Sequence, residues 1–104
     1  MSERRTVRIT ASFEADLHRQ LRDERGPHGE PSVADFEAVE LPEIIEEFAV
    51  GFNEVPPLIR GRSDYRLLIK TGVLFRAISV TAQLVSDGSV ELLRLGIDTG
   101  PAWE

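Results

Sequence analysis

Hydrophobic residues recur along the chain at two spacings, and the change between them divides it into a helical half and a sheet half. Thr6-Val7-Arg8-Ile9-Thr10 alternates apolar with polar and is β-branched, which predicts a short strand with Val7 and Ile9 inward. Phe13, Leu17 and Leu21 then recur at every fourth residue, behind Ser12 as N-cap and Glu14 and Asp16 in the first turn, and predict a helix to about residue 25. Its other faces are charged, so only one stripe is left to bury. Gly26-Pro27-His28-Gly29-Glu30-Pro31 breaks the pattern. Ser32 with Asp35 three residues on resembles a capping box and opens a short helical turn to about Val39. Pro42 suits the first position of a further helix, with Ile44, Ile45, Phe48 and Phe52 as its buried stripe and Gly51 and Pro56-Pro57 as its end.

From Asp64 to Asp98 the period becomes two. Thr71-Gly72 and Ser86-Asp87-Gly88 cut this stretch into three runs, the second break carrying the Asp-Gly hairpin signal. Leu58 to Ser63, with Arg60-Gly61-Arg62, predicts a basic approach segment. The first strand sets Tyr65, Leu67 and Ile69 against Arg66, Leu68 and Lys70 on the opposite face. The second, about Val73 to Val85, separates Phe75, Ala77, Ser79 and Thr81 from Leu74, Arg76, Ile78 and Val80. The third, about Ser89 to Ile97, separates Val90, Leu92 and Arg94 from Leu93, Leu95 and Ile97. Alternation with Leu67 and Ile69 assigns Tyr65 to the core. The expected class is α+β: a β-α-α-β-β-β two-layer domain with a four-stranded, mostly antiparallel sheet and two or three helices on one face. The first strand is left to pair at the edge of the meander or between its strands.

A length of 104 residues fits a single domain spanning 1–104, and 41% hydrophobic residues suffice for a core. Without cysteine there is no disulfide framework, no cysteine-based zinc site and no thiol nucleophile, which suits a cytoplasmic location. No run approaches the roughly 20 apolar residues of a membrane span. The N-terminal arginines have no apolar segment behind them, so neither a membrane partner nor a signal peptide is expected. The net charge of −6 is uneven: residues 1–54 carry 6 basic and 13 acidic side chains, and residues 55–104 carry 6 and 5. A chain this acidic gains no long-range attraction to nucleic acid, so any such site has to be a local patch.

Arginines make the one constellation with chemical meaning. Guanidinium forks suit bidentate phosphate contacts and the stabilisation of developing charge. Arg66, Arg76 and Arg94 form a cationic strip if they share a sheet face. The bland alternative, which the acid-rich first half favours, is pairing across strands or with the helices. Arg60 and Arg62 offer a phosphate-contacting loop or two ordinary solvated side chains. His18 and His28 lack a third ligand at metal spacing, and Asp35, Glu37, Glu40, Glu43, Glu46 and Glu47 read as solvated helix faces. No phosphate loop, dinucleotide fingerprint or hydrolase elbow occurs, so neither a cofactor nor a metal is expected.

The stretch Leu58-Ile-Arg-Gly-Arg-Ser-Asp-Tyr-Arg-Leu, then Leu74-Phe-Arg-Ala-Ile, then Ser86-Asp-Gly-Ser-Val-Glu-Leu-Leu-Arg-Leu resembles the RelE/ParE superfamily of bacterial toxins from toxin–antitoxin pairs. The element order and the length agree with it. The resemblance implies a toxin that acts on ribosome-bound mRNA or on DNA gyrase and is neutralised by a cognate antitoxin. If it is an enzyme, it is a metal-independent endoribonuclease in which Arg66 and Arg76 are catalytic and Arg60, Arg62 and Arg94 bind substrate. After Leu95 the family usually supplies His-Arg, Lys-Lys or a terminal Tyr, where this chain has Gly96-Ile97-Asp98-Thr99-Gly100. The rival expectation is a non-catalytic, acidic protein–protein interaction domain on a degenerate toxin-like fold, binding a partner or a second copy as a homodimer.

Overall fold

The computed structural model describes residues 4–98. Strand β1 (Val7–Ile9) leads into helix α1 (Ala11–Gln20). A short turn α2 (Val33–Asp35) runs through a π-helical segment, Phe36–Glu40, into α3 (Leu41–Gly51) and a 3₁₀ turn, Phe52–Glu54. Four strands follow: β2 (Pro57–Ile59), β3 (Arg62–Lys70), β4 (Ala77–Leu84) and β5 (Val90–Asp98). They form one sheet in the order β1-β5-β4-β3-β2, with β1 parallel to β5 and the other pairs antiparallel. No helix among the described residues is long and apolar enough to cross a membrane. The α+β class holds. The sheet has five strands where four are expected, because Pro57–Ile59 folds back on β3 instead of merely approaching it. Gly61, at φ +85°, turns the chain between them.

Local signals explain most element starts. Ser32 and Asp35 make the capping box, each side chain accepting the other's backbone N–H. In α1 the cap is Thr10, not Ser12. Thr10 Oγ1 accepts from Phe13 N at 3.3 Å and donates to the Leu92 carbonyl at 2.7 Å, so one hydroxyl starts the helix and ties it to β5. The helix stops at Gln20, five residues short of its expected end. The second meander strand is also shorter than Val73 to Val85, because residues 71–76 form a loop.

One hydrophobic cluster joins Phe13 and Leu17 of α1, Phe36, Ile44 and Phe48 of the later helical segments, and Ile78, Val80, Ala82, Val90, Leu92 and Leu95 of the sheet. The inner sheet face is therefore that of Leu68, Val80 and Ile78, and the register places Arg66 and Lys70 on it with Leu68. Tyr65, Leu67 and Ile69 lie opposite Gln83, Thr81 and Ser79, on the outer face. Tyr65 thus leaves the core that simple alternation assigns to it. In β5 the register slips between Leu92 and Arg94, and this irregularity brings Leu95 and Ile97 onto the same face as Val90 and Leu92.

β1 covers only the first part of β5, since the chain turns into α1 after Ile9. Two side chains of α1 complete the exposed edge. The Leu95 N–H donates to Asp16 Oδ2 at 2.9 Å. Gln20 Nε2 donates to the Leu95 carbonyl at 2.7 Å, and Gln20 Oε1 accepts from the Ile97 N–H at 2.8 Å. Asp16 is buried and also accepts from Arg94 Nε at 2.8 Å and Arg19 Nη2 at 2.6 Å. The Arg94 hydrogen bond, with those from Leu95 and Arg19, holds its carboxyl far below the ordinary 3.8 despite burial. Because the folded-state value is depressed, ionised Asp16 stabilises the fold above about pH 4, and this contribution fades as pH falls. Asp16→Asn should cost about 3 kcal/mol near neutrality. Urea unfolding of both proteins should show the difference shrinking below about pH 4.

Candidate functional site

The structure does not gather the five expected arginines into one site, and it gives most of them structural work. Arg66 faces the helices. Its Nε donates to the Ser63 carbonyl at 2.8 Å and its Nη1 to the Val55 carbonyl at 2.8 Å and the Asn53 carbonyl at 3.3 Å. The guanidinium also lies 5.0 Å from the Phe52 ring centroid. It pins the 3₁₀ turn after α3 to the first long strand. Arg94 is drawn to Asp16 of α1, the pairing that the acid-rich first half favoured. Arg76 is exposed just ahead of β4, not within a strand, with Nε 4.0 Å from Asp98 Oδ2.

Arg66 sits on β3 four residues before Lys70, which pairs with Ile78 near the start of β4. At about 3.3 Å per residue, that is roughly 13 Å along the strand from the end where Arg76 lies. Arg66, Arg76 and Arg94 do not form a strip on one sheet face. Arg62 pairs with Asp64 at 2.9 Å and stacks 4.8 Å above Tyr65, while the Arg62 hydrogen bond lowers the Asp64 carboxyl to about 2. Arg60 is exposed in the Gly61 turn beside it. Arg60 and Arg62 therefore lie beside Tyr65 at one end of the sheet, and Arg66 starts from the same end of β3 but faces the helices.

The outer face is the larger feature. The described helices bury their apolar stripes in the single core on the inner side, so the outer side has no second layer among the described residues. Leu67 is half-buried and Ile69 is 67% exposed. Beyond them the β3–β4 loop presents Val73 at 69% and Leu74, and β2 presents Leu58 and Ile59 at the sheet edge. That edge is poorly suited to adding a strand. β2 has three residues, an irregular register, and Pro56-Pro57 at its entrance.

A buried carboxylate fixes how the loop is displayed. Glu40, at the end of the π-helical segment, is 1% exposed and accepts from the backbone N–H of Val73 at 3.0 Å and Leu74 at 2.8 Å. The expectation of a solvated acidic face fails here. The signal was present: Phe36, Glu40, Ile44, Phe48 and Phe52 recur every four residues, and all five are buried. Elsewhere acids do what surface acids usually do. Glu43 and Glu47 lie 3.4 and 3.5 Å from Lys70 Nζ, and His18 lies 3.5 Å from Glu14 and 3.7 Å from Asp23. No group of three or more ligating side chains with metal-binding geometry occurs among the described residues. Trp103 and the segment after Asp98 lie outside the described residues.

Arg66→Ala should lower stability by about 2 kcal/mol through loss of its carbonyl contacts and Phe52 stacking. Faster amide exchange at Val55, whose N–H bonds to the Phe52 carbonyl, would accompany it. Unchanged exchange there would show that the pin carries no load. The sequence matches no protein-family model, no curated protein and no solved structure.

Proposed function

We infer that the domain acts by binding another protein through the outer face of its sheet, on a scaffold resembling that of RelE/ParE toxins. The observation that carries this is the uncovered apolar pair of Leu67 and Ile69 on the outer face, with Val73 and Leu74 also exposed on the following loop, whose backbone Glu40 binds. Exposed apolar surface of this kind, rimmed by polar residues, marks protein contact sites. The arginines add weight from the opposite side. Arg66 and Arg94, two of the five arginines that a nuclease reading would use, are engaged with carbonyls and Asp16.

In toxin terms this favours the gyrase-type action and a cognate antitoxin as the two protein partners. A ribonuclease remains the second reading. It is supported by Arg60, Arg62 and Tyr65 at one end of β3, where a nucleotide base and phosphate could be held together.

Expression of the chain alone in a bacterial host separates the two. Protein binding predicts growth arrest with ribosome-bound mRNA intact. Ile69→Glu should relieve the arrest while changing stability by less than about 0.5 kcal/mol. Arrest with mRNA fragments, relieved by joint Arg60→Ala and Arg62→Ala, would assign the ribonuclease instead. Unimpeded growth at high levels of folded protein removes toxin action of either kind.

A further inference from the structure

At the opposite sheet edge from β2, an open cleft of about 580 Å³ lies between the arginines around β1, the end of α3 with its 3₁₀ turn, and the Asp87–Ser89 turn. Its size is that of a small-molecule site, within about 300–1,000 Å³. Most charges lining it are already matched. Arg4 grips Glu46 with two bonds of 2.6 and 2.7 Å, and Arg8 holds Asp87 at 2.6 Å.

Two charges are left over. Arg5 is half-buried, with its guanidinium 5.8 Å from the Phe52 ring centroid and one long bond of 3.4 Å to the Gly88 carbonyl. Among the described residues it pairs with no carboxylate. Glu54 likewise has no ion-pair partner among them, and its Oε2 lies over Gly51, 3.6 Å from where a side chain there would begin. The carbonyl end of α3 adds partial negative charge on the same wall. The cleft is thus lined by one cation and one anion that have no ion-pair partner among the described residues.

A purely anionic ligand would satisfy Arg5 but meet Glu54 and the helix end. A purely cationic one would do the reverse. A dipolar ligand matches both. We propose that this cleft binds a free α-amino acid, with the ligand carboxylate on the guanidinium of Arg5 and its ammonium on Glu54 and the carbonyl end of α3. The guanidinium edge not used on Gly88 can take a carboxylate in bidentate fashion. The rest of the volume is open for the ligand's side chain. This site is independent of the outer sheet face and of its partner.

The test is an amide-shift titration of the labelled full chain with the common L-amino acids. Saturable shifts are expected at Thr6, Gly51 and Gly88. For the strongest binder, the N-acetyl form and the methyl ester each lack one of the two charges and should bind at least about tenfold more weakly. Arg5→Gln and Glu54→Gln should each have the same effect. Glu54 is exposed, so its variant keeps the test decisive if Arg5→Gln fails to fold. The proposal is overturned by the absence of saturable shifts with every amino acid, by equal binding of the N-acetyl form, or by undiminished binding to Glu54→Gln.

Discussion

The sheet depends on how the edge of β5 is closed. β1 is three residues long and lies parallel to β5, so it can satisfy only the first part of that strand's backbone. Unpaired peptide groups at a buried edge are costly, each on the order of a lost hydrogen bond and its desolvation. Asp16 and Gln20 remove the cost by presenting a carboxylate and a primary amide at the heights where a longer β1 would have placed peptide groups. The same two side chains fix α1 against the sheet. With α1 so placed, Phe13 and Leu17 point into the core and Arg94 is within reach of Asp16. Strand length, helix position and the fate of one arginine follow from a single geometric need.

That need also bears on function. A cationic strip requires arginines that the fold leaves free, and this fold uses them as fasteners. Arg94 compensates the buried Asp16, Arg66 gathers the carbonyls of the turn after α3, and Lys70 lies between Glu43 and Glu47. The acid-rich helical half and the neutral sheet half are complementary partners within one chain. Among the described residues, the surface left over includes the sheet's uncovered face and the cleft beside β1.

Much of the fold was legible in the sequence because period and punctuation agreed. The Ser32–Asp35 box, the stripe of α3, the Asp87-Gly88 turn and the meander all carry local signals that the packing respects. The misses have physical causes. β2 is too short and too proline-rich to show a period. Tyr65 was misplaced because both faces of β3 are partly apolar, and only the pairing with Val80 and Ile78 decides which one is inside. The phase of β5 was lost at an irregularity, which alternation cannot see. The site was less legible than the fold. Arginine at alternating positions says nothing about which carbonyl or carboxylate will reach it first. Asp16 and Glu40 were visible as polar residues within apolar stripes, the pattern expected of a buried carboxylate that has backbone work to do.

The pairing of Val7 with Val90 sets β1 beside β5, far along the chain. During synthesis β1 and α1 emerge well before β5, whose edge they complete. Asp16 and Gln20 therefore wait without their backbone partners while the intervening chain is made. Such non-local closure slows folding, because the entropy of bringing the ends together is lost before any contact repays it. The sheet half, a local meander, can form its hairpins first and serve as the template on which the early segments dock. Translation runs from β1 towards β5, while the contacts that are local in sequence lie in the meander.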